Sequence, residues 1–220
     1  MTFTKPEPLT IRPRWVTFAL AQGVIAPVLF ALIAIVGGLM RPGYSHVTQA
    51  ISELTEASAT NKFPLDLSLL AMEVLTIMFG LGFFWVARAL DLRLRLSAAL
   101  LVIIGVLGLF FYRYPMDPIG GGMTPEGRKH LIIVTLSALA AIASVFLSAQ
   151  GWFRVKDGRG MALMSYMVLA IMVISGVVSA MAGIWQWPGI GVWQRINTGA
   201  FSVWGIATAV WLLRTGSGTG

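Results

Sequence analysis

The chain contains no cysteine, only two histidines and few charges. Without cysteine there is no disulfide, no thiolate metal site and no cysteine nucleophile, and the redox compartment is left open. Charged residues make up 11% of the 220 positions, against roughly 25% in an ordinary soluble domain. The lysines Lys5, Lys62, Lys129 and Lys156 all lie outside the apolar runs. No helix-core lysine can therefore carry a retinal Schiff base, and an opsin is excluded. A bis-histidine haem needs two facing histidines in a core, and His46 and His130 do not lie in one. They are also the only histidines to offer a metal, with Glu53, Asp117 or Glu73 beside them. No His-Glu-x-x-His or His-x-x-x-His spacing supports such a site. Neither a metal nor a cofactor is expected.

What the chain has instead is apolar residue, 57% of it, with a mean hydropathy of +0.80. The apolar positions fall into six runs, approximately 15–39, 67–90, 95–112, 131–150, 161–183 and 196–213. About 18 apolar residues or more suffice to cross roughly 30 Å of hydrocarbon as a helix. An all-α, six-helix transmembrane bundle follows, a single domain over 1–214 with a flexible tail at 215–220. The connections leave no room for a separate soluble domain. Lys5, Arg12 and Arg14 precede the first run, and Ala19-Leu20-Ala21 resembles a cleavage site. The run continues to Leu39, too long for a cleaved signal peptide, so a retained helix is expected.

The net charge of +7 is explained by topology. With the N-terminus inside, the inner segments hold Lys5, Arg12, Arg14, Arg88, Arg93, Arg95, Arg154, Lys156, Arg159 and Arg214. The outer segments hold Arg41, Lys62, Arg113, Arg128, Lys129 and Arg195. Ten basic residues against six place both termini in the cytoplasm, with the protein in the plasma membrane. Anionic lipid meets the basic residues, and a nucleic-acid partner is not needed. Membrane lipids are the expected partners, with a membrane-protein partner or a second copy as further candidates.

The inner connections are short, Asp91-Leu92-Arg93-Leu94 and Gly151 to Gly160. The outer ones are long, 40–65, 113–129 and 184–195. In the first of these, Val47, Ala50, Ile51 and Leu54 repeat at i, i+3, i+4, i+7. His46, Gln49, Glu53 and Glu56 occupy another face. The spacing predicts a short amphipathic helix over 45–56, with Ser45 as its N-cap. In the second, Thr124, Pro125 and Glu126 read as the N-cap, first position and first turn of a helix. Gly120-Gly121-Gly122 is a turn and not a Walker loop, since no Gly-Lys-Ser/Thr follows. The start of helix 4 nearby offers N–H groups to an anionic headgroup. Trp185, Trp187 and Trp193 fit an interfacial belt. The stripes Ser137, Ala141, Ser144, Ser148 and Ser175, Ser179, Gly183 fit close helix packing.

Ionisable residues gather on the outer side. Glu73 is the sharpest, an acid inside helix 2 on the same face as Asp66. Such a group faces the bundle interior or water, with Arg41, Arg113, Arg128 or Arg195 as partner. The expected binding residues are Arg41, Tyr44, Ser45, His46, Ser52, Glu53, Asp66, Glu73, Arg113, Asp117, Arg128 and His130. Catalytic candidates are Glu73, Asp117, His130 and Glu53.

The run Arg41-Pro42-Gly43-Tyr44-Ser45-His46, then Ile51-Ser52-Glu53-Leu54, then Tyr114-Pro115-Met116-Asp117 leading to His130, resembles the prokaryotic membrane family called domain of unknown function 998. The resemblance covers about 20 to 210. It implies six helices and the importance of the two outer loops, and no established reaction. Tyr114 stands where that family usually has Phe, and Thr55 where Gly is common.

Three readings of function stay open. One is a non-catalytic membrane protein whose outward-facing site binds a lipid or amphiphile, or docks a partner. Another is a membrane enzyme acting on a lipid headgroup or isoprenoid at the outer leaflet. In it Glu73, Asp117 or Glu53 works with His130 as acid/base, and Arg113 and Arg128 hold an anionic group. The last is a small transporter, which needs a wet path past Gln22, Ser144 and Ser175.

Overall fold

A computed structural model describes residues 12–118, 121–185 and 187–215. Most of the tail reading at 215–220, the basic residue Lys5 and Gly120 of the glycine turn lie outside the described residues. Six helices long and apolar enough to span a membrane account for most of the rest. They are α1 (Arg14–Leu39), α2 (Lys62–Ala87), α3 (Leu92–Leu109), α4 (Pro125–Trp152), α5 (Arg159–Trp185) and α6 (Ile190–Thr215). A 3-10 turn, Phe110–Tyr112, extends α3. No strand occurs among the described residues. The helices outrun the apolar runs because capping residues and polar first turns are helical too. Thr124 caps α4 by accepting from the Gly127 amide at 3.1 Å, with Pro125 at the first position. Asp91 caps α3 by accepting from the Arg93 amide at 2.8 Å.

Each helix packs on its neighbours in sequence, and α1 closes the ring against α6. The α1–α6 seam is the least extensive of the six. The outward faces are apolar: Phe18, Leu32, Leu139, Ile174 and Val203 are exposed. That pattern suits a lipid solvent, in which burial gives helices no hydrophobic reward and close packing has to hold them. Small residues supply the closeness. Ser144 and Ser148 are fully buried, and the Ser144 hydroxyl donates to the Ser97 carbonyl at 3.0 Å across the α3–α4 seam.

We call the end bearing the three long connections the loop end, and the opposite one the termini end. Toward the termini end the ring is filled. Phe83 stacks on Phe79 and Trp152, and Trp152 meets Trp211 edge-on at 4.5 Å. Phe83, Trp152, Trp204 and Leu212 have no exposed surface.

The stretch 45–56 differs from the single helix its periodicity predicts. A turn over residues 46–49 leads to a five-residue 3-10 helix, Ile51–Thr55. Ser45 does not cap an α-helix. Its hydroxyl accepts from the Val47 and Thr48 amides at 3.3 Å and holds the turn. The backbone here is committed to tertiary partners. The Ile51 amide donates to Gln194 Oε1 at 2.9 Å, Ala57 to the Met116 carbonyl at 3.0 Å, and the Val47 carbonyl accepts from Val192. Ala50 and Leu54 are buried as the pattern implies, whereas Val47 is exposed. Glu53 and Glu56 are buried rather than turned to water.

Candidate functional site

The sequence-selected residues fall into three neighbourhoods. The first is the cap formed by residues 41–56. Arg41 donates to the Glu53 carbonyl and pairs with Glu56. The Glu53 carboxylate accepts from the Ala50 amide at 2.7 Å and from Gln49 Nε2 at 2.8 Å. Tyr44 donates its hydroxyl to the Ala50 carbonyl at 2.8 Å. Arg195 of α6 fastens the cap. It donates to Tyr44 Oη and His46 Nδ1 at 2.9 Å, and to the Gly191 and Gln49 carbonyls. A guanidinium only donates, so His46 Nδ1 is the acceptor and its proton sits on Nε2. Burial pushes the Tyr44 phenol above its usual range, and the hydrogen bond from Arg195 pulls the other way. Ser52 donates to Met116 Sδ at 3.0 Å, which joins the cap to the second long connection.

The second neighbourhood is the entrance of α4. Asp117 accepts from the Thr124 hydroxyl at 2.6 Å and from its amide at 2.9 Å. Those two bonds hold its carboxyl below the usual carboxylate range. Gly127 permits the approach, because a Cβ there would collide with the Asp117 carboxylate. The positive start of α4, offered by the sequence to an anionic headgroup, is thus met by the chain's own carboxylate. His130 is buried. Its Nδ1 lies 2.9 Å from the Tyr114 carbonyl, so Nδ1 carries the proton and Nε2 a lone pair. That Nε2 is buried without a partner among the described residues. Arg113 and Lys129 both lie over the Tyr114 ring, at 5.5 and 4.9 Å. Arg128 is exposed.

The third neighbourhood is Glu73. Asp66, on the same face, pairs with Lys62 at the helix start. Glu73 lies eleven residues into α2, about 16 Å along its axis. That is close to the middle of the helix, deeper than the apolar run suggests. It is 9% exposed, and no hydrogen bond or ion pair reaches its carboxyl among the described residues. None of Arg41, Arg113, Arg128 or Arg195 pairs with it. Its space is made by α3: a Cβ on Gly108 would strike the Glu73 carboxyl.

Glu73 lines a cavity of about 170 Å³ inside the ring, on the side formed by α1, α2, α3 and α6. The cavity is partly open. Phe79 and Trp204 bound it toward the termini end, and Phe30 and Met72 toward the loop end. Its other polar wall groups are Thr76, Thr198 and Ser202. These three are not apparent from hydropathy, because hydroxyls blend into apolar runs. Their spacing is the available signal, with Thr76 three residues after Glu73 and Ser202 four after Thr198. Three polar groups of the bundle, each a candidate to line a wet path, are engaged with backbone carbonyls. Gln22 donates to the Phe18 carbonyl, Ser144 to Ser97, and Ser175 to the Ile171 carbonyl.

No group of three or more His, Asp or Glu side chains suited to a metal forms among the described residues. His46 and His130 belong to different neighbourhoods. Comparison with curated proteins and with solved structures gives no match. The sequence model of one family, described as Protein of unknown function (DUF998), matches residues 24–211, which takes in the cap, the α4 entrance and Glu73 alike. This chain of six membrane-spanning helices belongs to that family.

Proposed function

We propose that this membrane protein binds an amphiphile inside its bundle, with the polar end of the ligand at Glu73. The observation that carries the reading is the Glu73 carboxyl, nine-tenths buried and unpartnered among the described residues, on the wall of a mostly apolar cavity. A buried polar group without a partner is destabilising by about 1–3 kcal/mol. Folds keep such groups where something else binds them. The volume supports a headgroup or short segment, since an apolar cavity of about 150 Å³ takes a benzene-sized molecule. A longer tail would leave through the open side. The closed aromatic packing toward the termini supports binding over passage through the bundle. The residues of the cap and of the α4 entrance are engaged with one another, which supports a structural cover over the loop end.

In this reading membrane lipids are the pool from which the ligand comes, the membrane is the plasma membrane, and both termini are cytoplasmic. The ten-to-six distribution of basic residues supports that orientation. Reporter fusions at the C-terminus and at Gly121 should report opposite sides, and agreement between them would refute it. The binding claim is tested by extracting small molecules from the purified protein and from a Thr198→Leu variant whose side chain fills the cavity. A species enriched in wild type and depleted at least tenfold in the variant is expected. Identical inventories, in variant protein of native stability, would overturn the reading.

A further inference from the structure

The cavity wall is one-sided in its hydrogen bonding. Thr76 donates its hydroxyl to the Met72 carbonyl at 3.1 Å, Thr198 to Gln194 at 3.0 Å and Ser202 to Thr198 at 2.8 Å. Each proton is spent on the residue's own helix, so what these hydroxyls have left for the cavity is oxygen lone pairs. Pro27, inside α1 and on the wall, has no N–H to give the carbonyl of Gly23, another wall residue. Ionised against a cation, the Glu73 carboxyl adds two acceptor oxygens. The one side-chain N–H among the described wall residues, Trp204 Nε1, is itself buried and without a partner among the described residues. No arginine, lysine or histidine among the described residues lines the cavity. The large apolar surfaces are the aliphatic Met72, Leu101 and Ile104 and the rings of Phe30, Phe79 and Phe201, of which Phe79 also stacks on Phe83 and Phe201 on Trp204 at 5.4 Å.

A wall of acceptors, one carboxylate and several aromatic faces is complementary to a cation. The carboxylate supplies the opposite charge, and ring faces attract ammonium groups within about 6 Å of their centroids. An anionic headgroup would oppose ionisation of Glu73 and would find no arginine, lysine or histidine among the described wall residues. A neutral alcohol could donate one hydrogen bond but would leave the rest of the wall unused.

We propose that the ligand is a lipophilic cation, an ammonium-bearing amphiphile whose charged head sits between Glu73 and the aromatic faces of α1, α2 and α6. This rests on the reading of the cavity as an amphiphile site and adds the ligand's charge to it. The probes are dodecylamine, dodecanol and dodecanoate, at equal chain length. Binding is measured by equilibrium partition onto the protein in nanodiscs, with empty nanodiscs subtracted. The wild-type protein should bind dodecylamine saturably, at least tenfold more tightly than dodecanol, with no saturable binding of dodecanoate. Glu73→Gln should reduce dodecylamine binding at least tenfold and leave dodecanol binding within about twofold. Should that variant fold poorly, Gly108→Ala serves, since the added methyl displaces the carboxyl without removing it. Equal binding of amine and alcohol, unmoved by either variant, would overturn the cation while leaving an amphiphile site in place. Absence of saturable binding by any of the three would overturn both.

Discussion

The two halves of the bundle solve the same packing problem differently. Toward the termini end, aromatic side chains fill the ring: Phe83, Trp152 and Trp204 have no exposed surface. Toward the loop end the helices stand around a cavity with a lone carboxylate on its wall, and residues 41–56 lie as a cover held by Arg195. The same chain composition supports both. The difference is where large rings meet and where glycine and hydroxyl residues do. A tight half can anchor a half that keeps space open, because helices continuous from one end to the other share the rigidity.

The largest expected effect tests the tight half. Trp152→Ala removes a fully buried ring that packs on Phe83 and Trp211, and should lower unfolding stability by about 3–5 kcal/mol. Phe201→Ala, at the half-buried wall of the cavity, should lose clearly less. Denaturation of both variants in one detergent compares them, and equal losses would erase the distinction between the halves.

The converse prediction concerns Glu73. Replacing an unpartnered buried carboxyl by an apolar group of similar length should stabilise the protein. Glu73→Met is expected to raise stability by about 1–3 kcal/mol while abolishing retention of the ligand. A fall in stability, measured the same way, would mean that the carboxylate has a structural role.

Arg195→Met should loosen the cover and little else. It removes hydrogen bonds to Tyr44, His46 and Gln49, so amides of residues 44–56 should exchange faster, by an opening free energy reduced by about 1–3 kcal/mol. Hydrogen exchange that accelerates equally in α1 and α2 would show that the cover is not a separate unit.

The smallest effect is local and pH-dependent. Asp117 has its carboxyl held below the usual range by Thr124 in the folded state. Its contribution to the first turn of α4 is therefore fully present above the ordinary carboxylate pKa of about 4. It is lost as pH falls through the lower, folded value. The Thr124 amide should gain exchange protection with that pH dependence in wild type and show none in Asp117→Asn.

How much of this was legible beforehand varies with the residue. The six spans were readable because apolar length is a property of the chain alone. Thr124-Pro125-Glu126 announced the start of α4 for the same reason, since a cap is a local hydrogen bond. Residues 45–56 misled: their helical spacing is real, but the Ile51 and Ala57 amides donate to Gln194 and Met116, distant in sequence. Glu73 stood out as an acid in an apolar run. It lies deeper than its place in the run 67–90 implies, because α2 begins at Lys62, in a segment too polar to count toward the run.

The sequence by itself determined that the chain crosses a membrane six times and that an acid lies within the second crossing. Lipid cannot hydrogen-bond a backbone, so each long apolar run had to become a helix. Only the tertiary structure decided that Gly108 of α3 makes room for that carboxyl, and that α1 and α6 bring aromatic faces and spent hydroxyls to the same space. It also decided that no basic residue among those described pairs with Glu73. Those outcomes depend on helix rotation and depth, which packing between helices sets and no single helix encodes.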